Sequence, residues 1–353
     1  MRQTMSYRVP FSVAVVVAAV VLQPVQAADL RGYLRIVGSH SIRPFADAVA
    51  DKLAKSKKVK RPWVESTGSR GGIQLFCAGT GAHAPDIVNA SRRMERREFD
   101  FCRSTGVKDI VEVKIGYGAV ILARSKKQEP LRLTRKALYL ALAKEVPDPA
   151  CAGCDTFVRN PFKTWKEVDP VLPDVAIEVL GPPEGSGTRE VFSELAMEGG
   201  CSGFPAAGAL KDRDAARFDR LCRTIREDGA YVRENPDQLM DKLSARPGAI
   251  AVMAYNQYFT HSKTLDPVSI EGIVPSADSV TSRQYPISRT LYFYVKADRI
   301  GKVPGLAQYI AEFTDDRAWG DKGYLVAKGL IPMPAAERKA VAGAAKALKR
   351  VSL

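Results

Sequence analysis

The chain has 353 residues, of which 46% are hydrophobic, 26% charged and 8% aromatic; this is globular composition, and it excludes disordered, collagen-like and coiled-coil classes. Lys and Arg number 53 against 39 Asp and Glu, a net charge of +14, which suits an anionic partner or simply a solvated basic surface. The basic residues are scattered and no arginine run is interleaved with aromatics, so no nucleic-acid partner is expected.

In chain order, residues 1–27 read as an export leader. Arg2 and Arg8 precede an uncharged stretch of twelve residues from Phe11 to Leu22, and Val25-Gln26-Ala27 offers small residues for cleavage before Ala28. Twelve residues are too few for a membrane anchor, which needs about 20. A periplasmic location is the expectation.

Strand and helix then alternate. Tyr33–Val37 reads as a strand. Pro44–Lys55 reads as a helix with Phe45, Val49 and Leu53 on one face. Pro62–Glu65 and Asp86–Ala90 read as strands, followed by helices at Ile73–Cys77 and near Glu95–Cys102. Val111–Ile115 and Ala119–Ala123 read as one strand interrupted by Gly116-Tyr117-Gly118, passing from one domain into another. Helices are predicted at Leu133–Lys144, Arg189–Met197, Asp212–Glu227, Pro236–Leu243, Pro304–Phe313 and Pro334–Lys349. Strands are predicted at Ile177–Leu180, Ile250–Ala254 and Leu291–Val295. This alternation predicts an α/β fold with a largely parallel sheet.

Four Ser/Gly-rich loops join strands to helix starts: Gly38–Ser41, Thr67–Gly72, Ala90–Arg93 and Gly185–Thr188. Helix N-termini present unpaired N–H groups and partial positive charge, so such loops suit phosphate, sulfate or carboxylate. Ser, Thr and Gly are also ordinary caps and turns; four loops after successive strands favour a shared crevice. Arg92 and Arg189 lie in or beside these loops and offer bidentate contacts to an oxyanion. His40 sits in the first loop.

Six cysteines suit an oxidising compartment. They allow 15 pairings; neighbour pairing (77 with 102, 151 with 154, 201 with 222) is the simplest. Cys151-Ala-Gly-Cys154 also has redox or metal spacing, but the three histidines are far apart. No Gly-x-Ser-x-Gly elbow and no Gly-x-x-x-x-Gly-Lys phosphate loop is present. A secreted phosphatase is therefore the weaker reading, and no cofactor or metal is expected.

The stretches GSHSIRPFADAV (38–49), ESTGSRGGI (65–73), PDIVNASRRM (85–94), GPPEGSGTREVF (181–192) and YPISRTLYFYVK (285–296) resemble the PstS-type periplasmic phosphate-binding proteins, the capture subunits of ABC importers. The resemblance implies a two-lobed periplasmic binding protein type II fold with two crossover hinge strands. One lobe would be 28–116 plus 286–353 and the other 117–285. It implies a monomer that holds inorganic phosphate, or another oxyanion such as sulfate, a phosphonate or an organophosphate, for a membrane permease and ATPase. It places Ser41, the backbone N–H of Ile42, Ser69, Ser186, the backbone of Gly187, Thr188 and Arg189 on the ligand. Two departures stand out. Relatives carry an Asp where this chain has Arg92, and some carry an Arg where it has Pro182. Arg92 and Arg189 would then supply the lost cation, and Glu184 or Glu65 the hydrogen-bond acceptor that a protonated phosphate needs.

Overall fold

A computed structural model describes residues 1, 32–56, 59–151, 155–235 and 238–352. The proposed leader and Cys154 lie outside these residues.

One sheet of nine strands runs through the molecule. In chain order its strands are β1 (Arg35–Gly38), β2 (Trp63–Ser66), β3 (Ile87–Ala90), β4 (Ile110–Ser125), β5 (Val179–Gly181), β6 (Tyr231–Arg233), β7 (Ile250–Ala254), β8 (Leu265–Pro267) and β9 (Ser288–Lys296). Their spatial order is β2-β1-β3-β9-β4-β7-β5-β6, and β8 pairs with the far end of β4. The outer groups, β2-β1-β3 and β7-β5-β6, are parallel; β9 and β4 are antiparallel to their neighbours. The sheet is thus mixed, with parallel outer groups. Parallel strands buried on both faces read as unbroken apolar runs, and Ile87–Ala90 and Val179–Gly181 are buried throughout.

The interruption expected at Gly116-Tyr117-Gly118 is not a break. β4 is continuous for 16 residues, and its irregularity is a register shift opposite Leu291 and Tyr292, as a bulge produces in an antiparallel pair. β4 pairs with β9 from Ile110 to Ala119 and with β7 from Val120 to Ala123. A single strand therefore carries the chain from one parallel group to the other.

Helices cover the sheet. In α1 (Arg43–Lys55), Phe45, Val49 and Leu53 are buried with Ala46 and Ala50, and the first turn carries a proline, which needs no intrahelical N–H partner there. α2 (Ser69–Cys77) and α3 (Arg96–Ser104) are joined by the Cys77–Cys102 disulfide. α4 (Arg135–Leu142) packs on the helix after β5. That helix starts as α5 (Gly187–Val191) and continues through a π turn at Phe192–Met197, where the sequence predicts plain α-helix.

The predicted helix at Asp212–Glu227 is two helices. α6 (Pro205–Arg213) ends at Asp214, whose side-chain carboxylate caps α7 (Ala215–Arg223) by accepting from the Arg217 N–H at 2.9 Å. Short polar side chains compete with helix continuation in this way. Thr224 leaves the helix, and Ile225 bridges Ala143. Cys201 and Cys222 form the second disulfide; the third expected pair involves Cys154 and lies outside the described residues. The C-terminal helix α8 (Ala335–Lys346) closes the fold.

Candidate functional site

The C-terminal ends of β1, β2 and β3 deliver three of the four Ser/Gly loops to one place. Gly38 adopts φ +124°, and a Cβ there would lie 2.1 Å from the Asn89 carbonyl oxygen; only glycine fits this approach. The loop ends are tied by Ser39 N–H to Asn89 O and Thr67 N–H to Gly38 O, each 2.9 Å. Ser91 N–H donates to Ser69 Oγ at 3.1 Å, and the Ser69 and Ser91 hydroxyls lie 2.9 Å apart. The side-chain oxygens Ser39 Oγ, Ser66 Oγ, Thr67 Oγ1 and Asn89 Oδ1 are buried here without a hydrogen-bond partner among the described residues. Buried polar atoms are normally paired, so such a cluster marks a polar ligand site.

The fourth loop comes from the other parallel group. Ser186 caps α5 by accepting from Arg189 N–H at 3.1 Å. Gly187 then meets the first loop directly: a Cβ on it would lie 2.7 Å from Ser41 Cα and 2.9 Å from the His40 carbonyl carbon. Ser41 Oγ lies 3.3 Å from Gly187 O. Ser41, Gly187 and Thr188 line a cavity of about 580 Å³ with Phe45, Met240 and Leu291. Ser186 and Arg189 line a smaller neighbouring cavity of about 240 Å³, and His40 borders both. The backbone N–H of Ile42 is engaged by Ser39 O at 3.2 Å.

A family model described as the PBP superfamily domain matches residues 24–317. The chain belongs to the PBP superfamily. It is 26% identical over 306 residues to Protein SphX of Synechocystis sp., covering 85% of this chain and 78% of that one. It is 23% identical over 305 residues to the phosphate-binding protein PstS of Staphylococcus epidermidis, covering 84% and 79%. Among solved structures, a possible phosphate binding protein from Planctomyces limnophilus superposes with a TM-score of 0.70 at 19% identity, covering 91% of this chain and all of that one. The mixed α/β architecture is thus a PBP fold with two crossover strands, β4 and β9.

Within this PBP the two arginines singled out from sequence each have a partner inside the chain. Arg92 forks onto Glu98 at 2.7 and 2.9 Å, with Glu95 at 3.6 Å. Burial pushes the Glu98 carboxyl up, but bonds from Arg92 and the Glu95 backbone overcome this and hold it below the usual carboxylate range. Glu98 also completes a capping box on α3. Arg92 therefore anchors the third loop to the helix that follows it. Arg189 is buried with its guanidinium 4.5 Å from the Tyr231 ring centre, and the Tyr231 hydroxyl donates to Pro182 O at 2.9 Å. Arg189 stacks on that ring, while its Nη1 is buried without a hydrogen-bond partner among the described residues and borders the smaller cavity beside Ser186.

The proposed acceptors also differ. Glu65 accepts from Arg35 at 3.0 Å, and Glu184 is exposed. Glu190 is the carboxylate that reaches the first and second loops. Its Oε2 lies 3.3 Å from His40 Nδ1, and its Oε1 lies 3.6 Å from the Cβ position of Gly68, the residue before α2.

Sequence reasoning missed Arg289. It stands on β9 opposite Gly118 of β4, is 6% exposed, and lines the larger cavity. Its Nη2 donates to Ser41 Oγ at 2.6 Å and its Nη1 to Glu194 Oε2 at 2.8 Å. The available signal was a charged residue two positions before the apolar and aromatic run Leu291–Val295.

Proposed function

We propose that this chain is an exported receptor that captures inorganic phosphate between two lobes and delivers it to the permease and ATPase of an ABC importer. The lobes are 28–116 plus 286–353 and 117–285, and the working unit is a monomer. The observation that carries the reading is the meeting of Gly187 with Ser41, which brings the start of α5 against the loops that start α1 and α2. The starts of α1 and α5 and the hydroxyls of Ser41 and Thr188 then border one cavity, a donor-rich site suited to a tetrahedral oxyanion. Relatives named as phosphate-binding proteins support phosphate as that ion. Ser41, Ser69, Ser186, Gly187 and Thr188 are the proposed ligand contacts. Arg92 acts at one remove, by holding the third loop, and Arg189 borders the smaller cavity beside Ser186.

Closure about β4 and β9 follows from contacts made to both lobes at once. The reading is of a binder rather than a catalyst; turnover of an aromatic phosphate ester that Ser186→Ala abolishes would reverse it. Calorimetric titration of the refolded chain from Ala28 onward with phosphate and then sulfate tests the proposal. Tight binding of phosphate is expected, and no binding of either ion would sink it.

One observation favours a second reading. The cavity beside Ser41 is larger than a tetrahedral anion fills and has apolar walls at Phe45, Val191, Met240 and Leu291, which would suit the organic part of a phosphate ester. Titration with a phosphate monoester in the same series separates the two.

A further inference from the structure

We propose that Arg289 is a buried charge partner of the bound oxyanion, an assignment that rests on the phosphate reading above. A guanidinium removed from water needs compensation on all of its N–H groups. Arg289 has it on two sides only, from Ser41 Oγ and from Glu194. Its Nε–H has no hydrogen-bond partner among the described residues.

The remaining compensation is also thin. The Glu194 side chain is 32% exposed, so its field at Arg289 is partly screened. Burial pulls the pKa of Arg289 down, and the nearby Glu194 and Glu190 carboxylates only partly restore it. Of the basic side chains lining the larger cavity, Arg289 alone is buried; His40 and His261 are half-buried and Lys328 is exposed.

The bond to Ser41 assigns the direction of the remaining donor. Ser41 Oγ accepts from Arg289, so its own hydrogen is available to an acceptor. The Gly187 carbonyl, at 3.3 Å, is a long acceptor for a hydroxyl. An anion beside Ser41 would take that hydrogen and place negative charge against the guanidinium. Ser41 and Arg289 then act together, one as donor and one as counter-charge, and Glu194 holds the guanidinium in the cleft. This places the missing cation on β9, far in sequence from Pro182 and from Arg92.

The test uses calorimetric titration of inorganic phosphate into the full mature chain and its variants, with thermal unfolding as a check on folding. Arg289→Met is expected to weaken binding about 100-fold or more, as loss of a desolvated charge partner does, and Arg289→Lys to lose less. The double variant Ser41→Ala with Arg289→Met is expected to bind more weakly than Ser41→Ala alone. A double variant no worse than Ser41→Ala means that Arg289 only positions Ser41, and overturns the proposal. Arg289→Met binding within threefold of wild type, while Ser186→Ala binds weakly, overturns it and leaves the phosphate reading standing. If Arg289→Met does not fold, Arg289→Lys and Glu194→Gln decide. Retained binding in Glu194→Gln with weakened binding in Arg289→Lys supports a direct contact; the reverse pattern assigns the pair a structural role. No phosphate binding by the wild type overturns both readings together.

Discussion

Gly187 and Ser41 touch backbone to backbone: a Cβ on Gly187 would sit 2.7 Å from Ser41 Cα and 2.8 Å from Ser41 N. The two residues are 146 positions apart and come from loops following β1 and β5. Their contact exists only while the two loop systems are together. A methyl group on residue 187 therefore burdens the closed arrangement and leaves each loop's own fold intact.

Gly187→Ala is expected to weaken phosphate binding about 10- to 100-fold, from an overpacking cost of about 1–3 kcal/mol in the closed form. Its unfolding temperature should fall little in the absence of phosphate. Titration calorimetry and small-angle scattering with and without phosphate check this. Unchanged affinity and full compaction on adding phosphate would mean that the contact has no part in capture.

Glu190 is an acceptor-only group when ionised, and it faces loops that otherwise offer donors. Hydrogenphosphate brings a proton for it; sulfate does not, and sets charge against charge. Glu190→Gln is expected to relax the preference for phosphate over sulfate, with sulfate binding emerging in a competition titration. A variant as selective as wild type would place the discriminating group elsewhere.

The Arg92–Glu98 fork has a signature in pH. Glu98 is held below the ordinary carboxylate pKa, so the folded state binds its proton less readily than the unfolded chain. Its stabilisation is therefore fully present above the unfolded value, about 4.3, and is lost as pH falls through the lower folded value. Glu98→Gln is expected to destabilise the protein by about 1–2 kcal/mol at pH 7. The gap from wild type should close progressively below about pH 4. Urea titrations at a series of pH values measure it, and a gap independent of pH would contradict the assignment.

The loops Gly38–Ser41, Thr67–Gly72 and Gly185–Thr188 were legible because local chemistry dictates them: an apolar run, a turn-forming glycine, then a hydroxyl at a helix start. The partners of the arginines were not. Arg92 is claimed by Glu98, six residues on and beyond a turn, and Arg189 by Tyr231, which only the sheet brings near. Arg289 was invisible for the converse reason. Its partners Ser41 and Glu194 lie 248 and 95 residues away, and no periodicity within β9 reports them. The break at Asp214 was within reach, since a capping residue inside a long amphipathic pattern is a stop signal as well as a start.

The Cys201–Cys222 bridge spans 21 residues and ties the helix after β5 to α7. Closing a loop of that length stabilises by about 3 kcal/mol in the chain-entropy model. The double variant Cys201→Ser, Cys222→Ser is expected to unfold at clearly lower denaturant, with phosphate affinity little changed where it remains folded. Equal denaturant midpoints would show that the bridge adds nothing beyond the packing around it.

The position of β9 has a consequence for how the protein comes into being. It lies between β3 and β4, yet its residues, Ser288–Lys296, are translated after every other strand of the sheet. Until they emerge from the ribosome, the sheet has an open slot at its middle, and β1, β2 and β3 have no partner joining them to the rest. Such long-range pairing delays productive folding. The β2-β1-β3 group therefore stays unjoined to the remaining strands until most of the chain has been made.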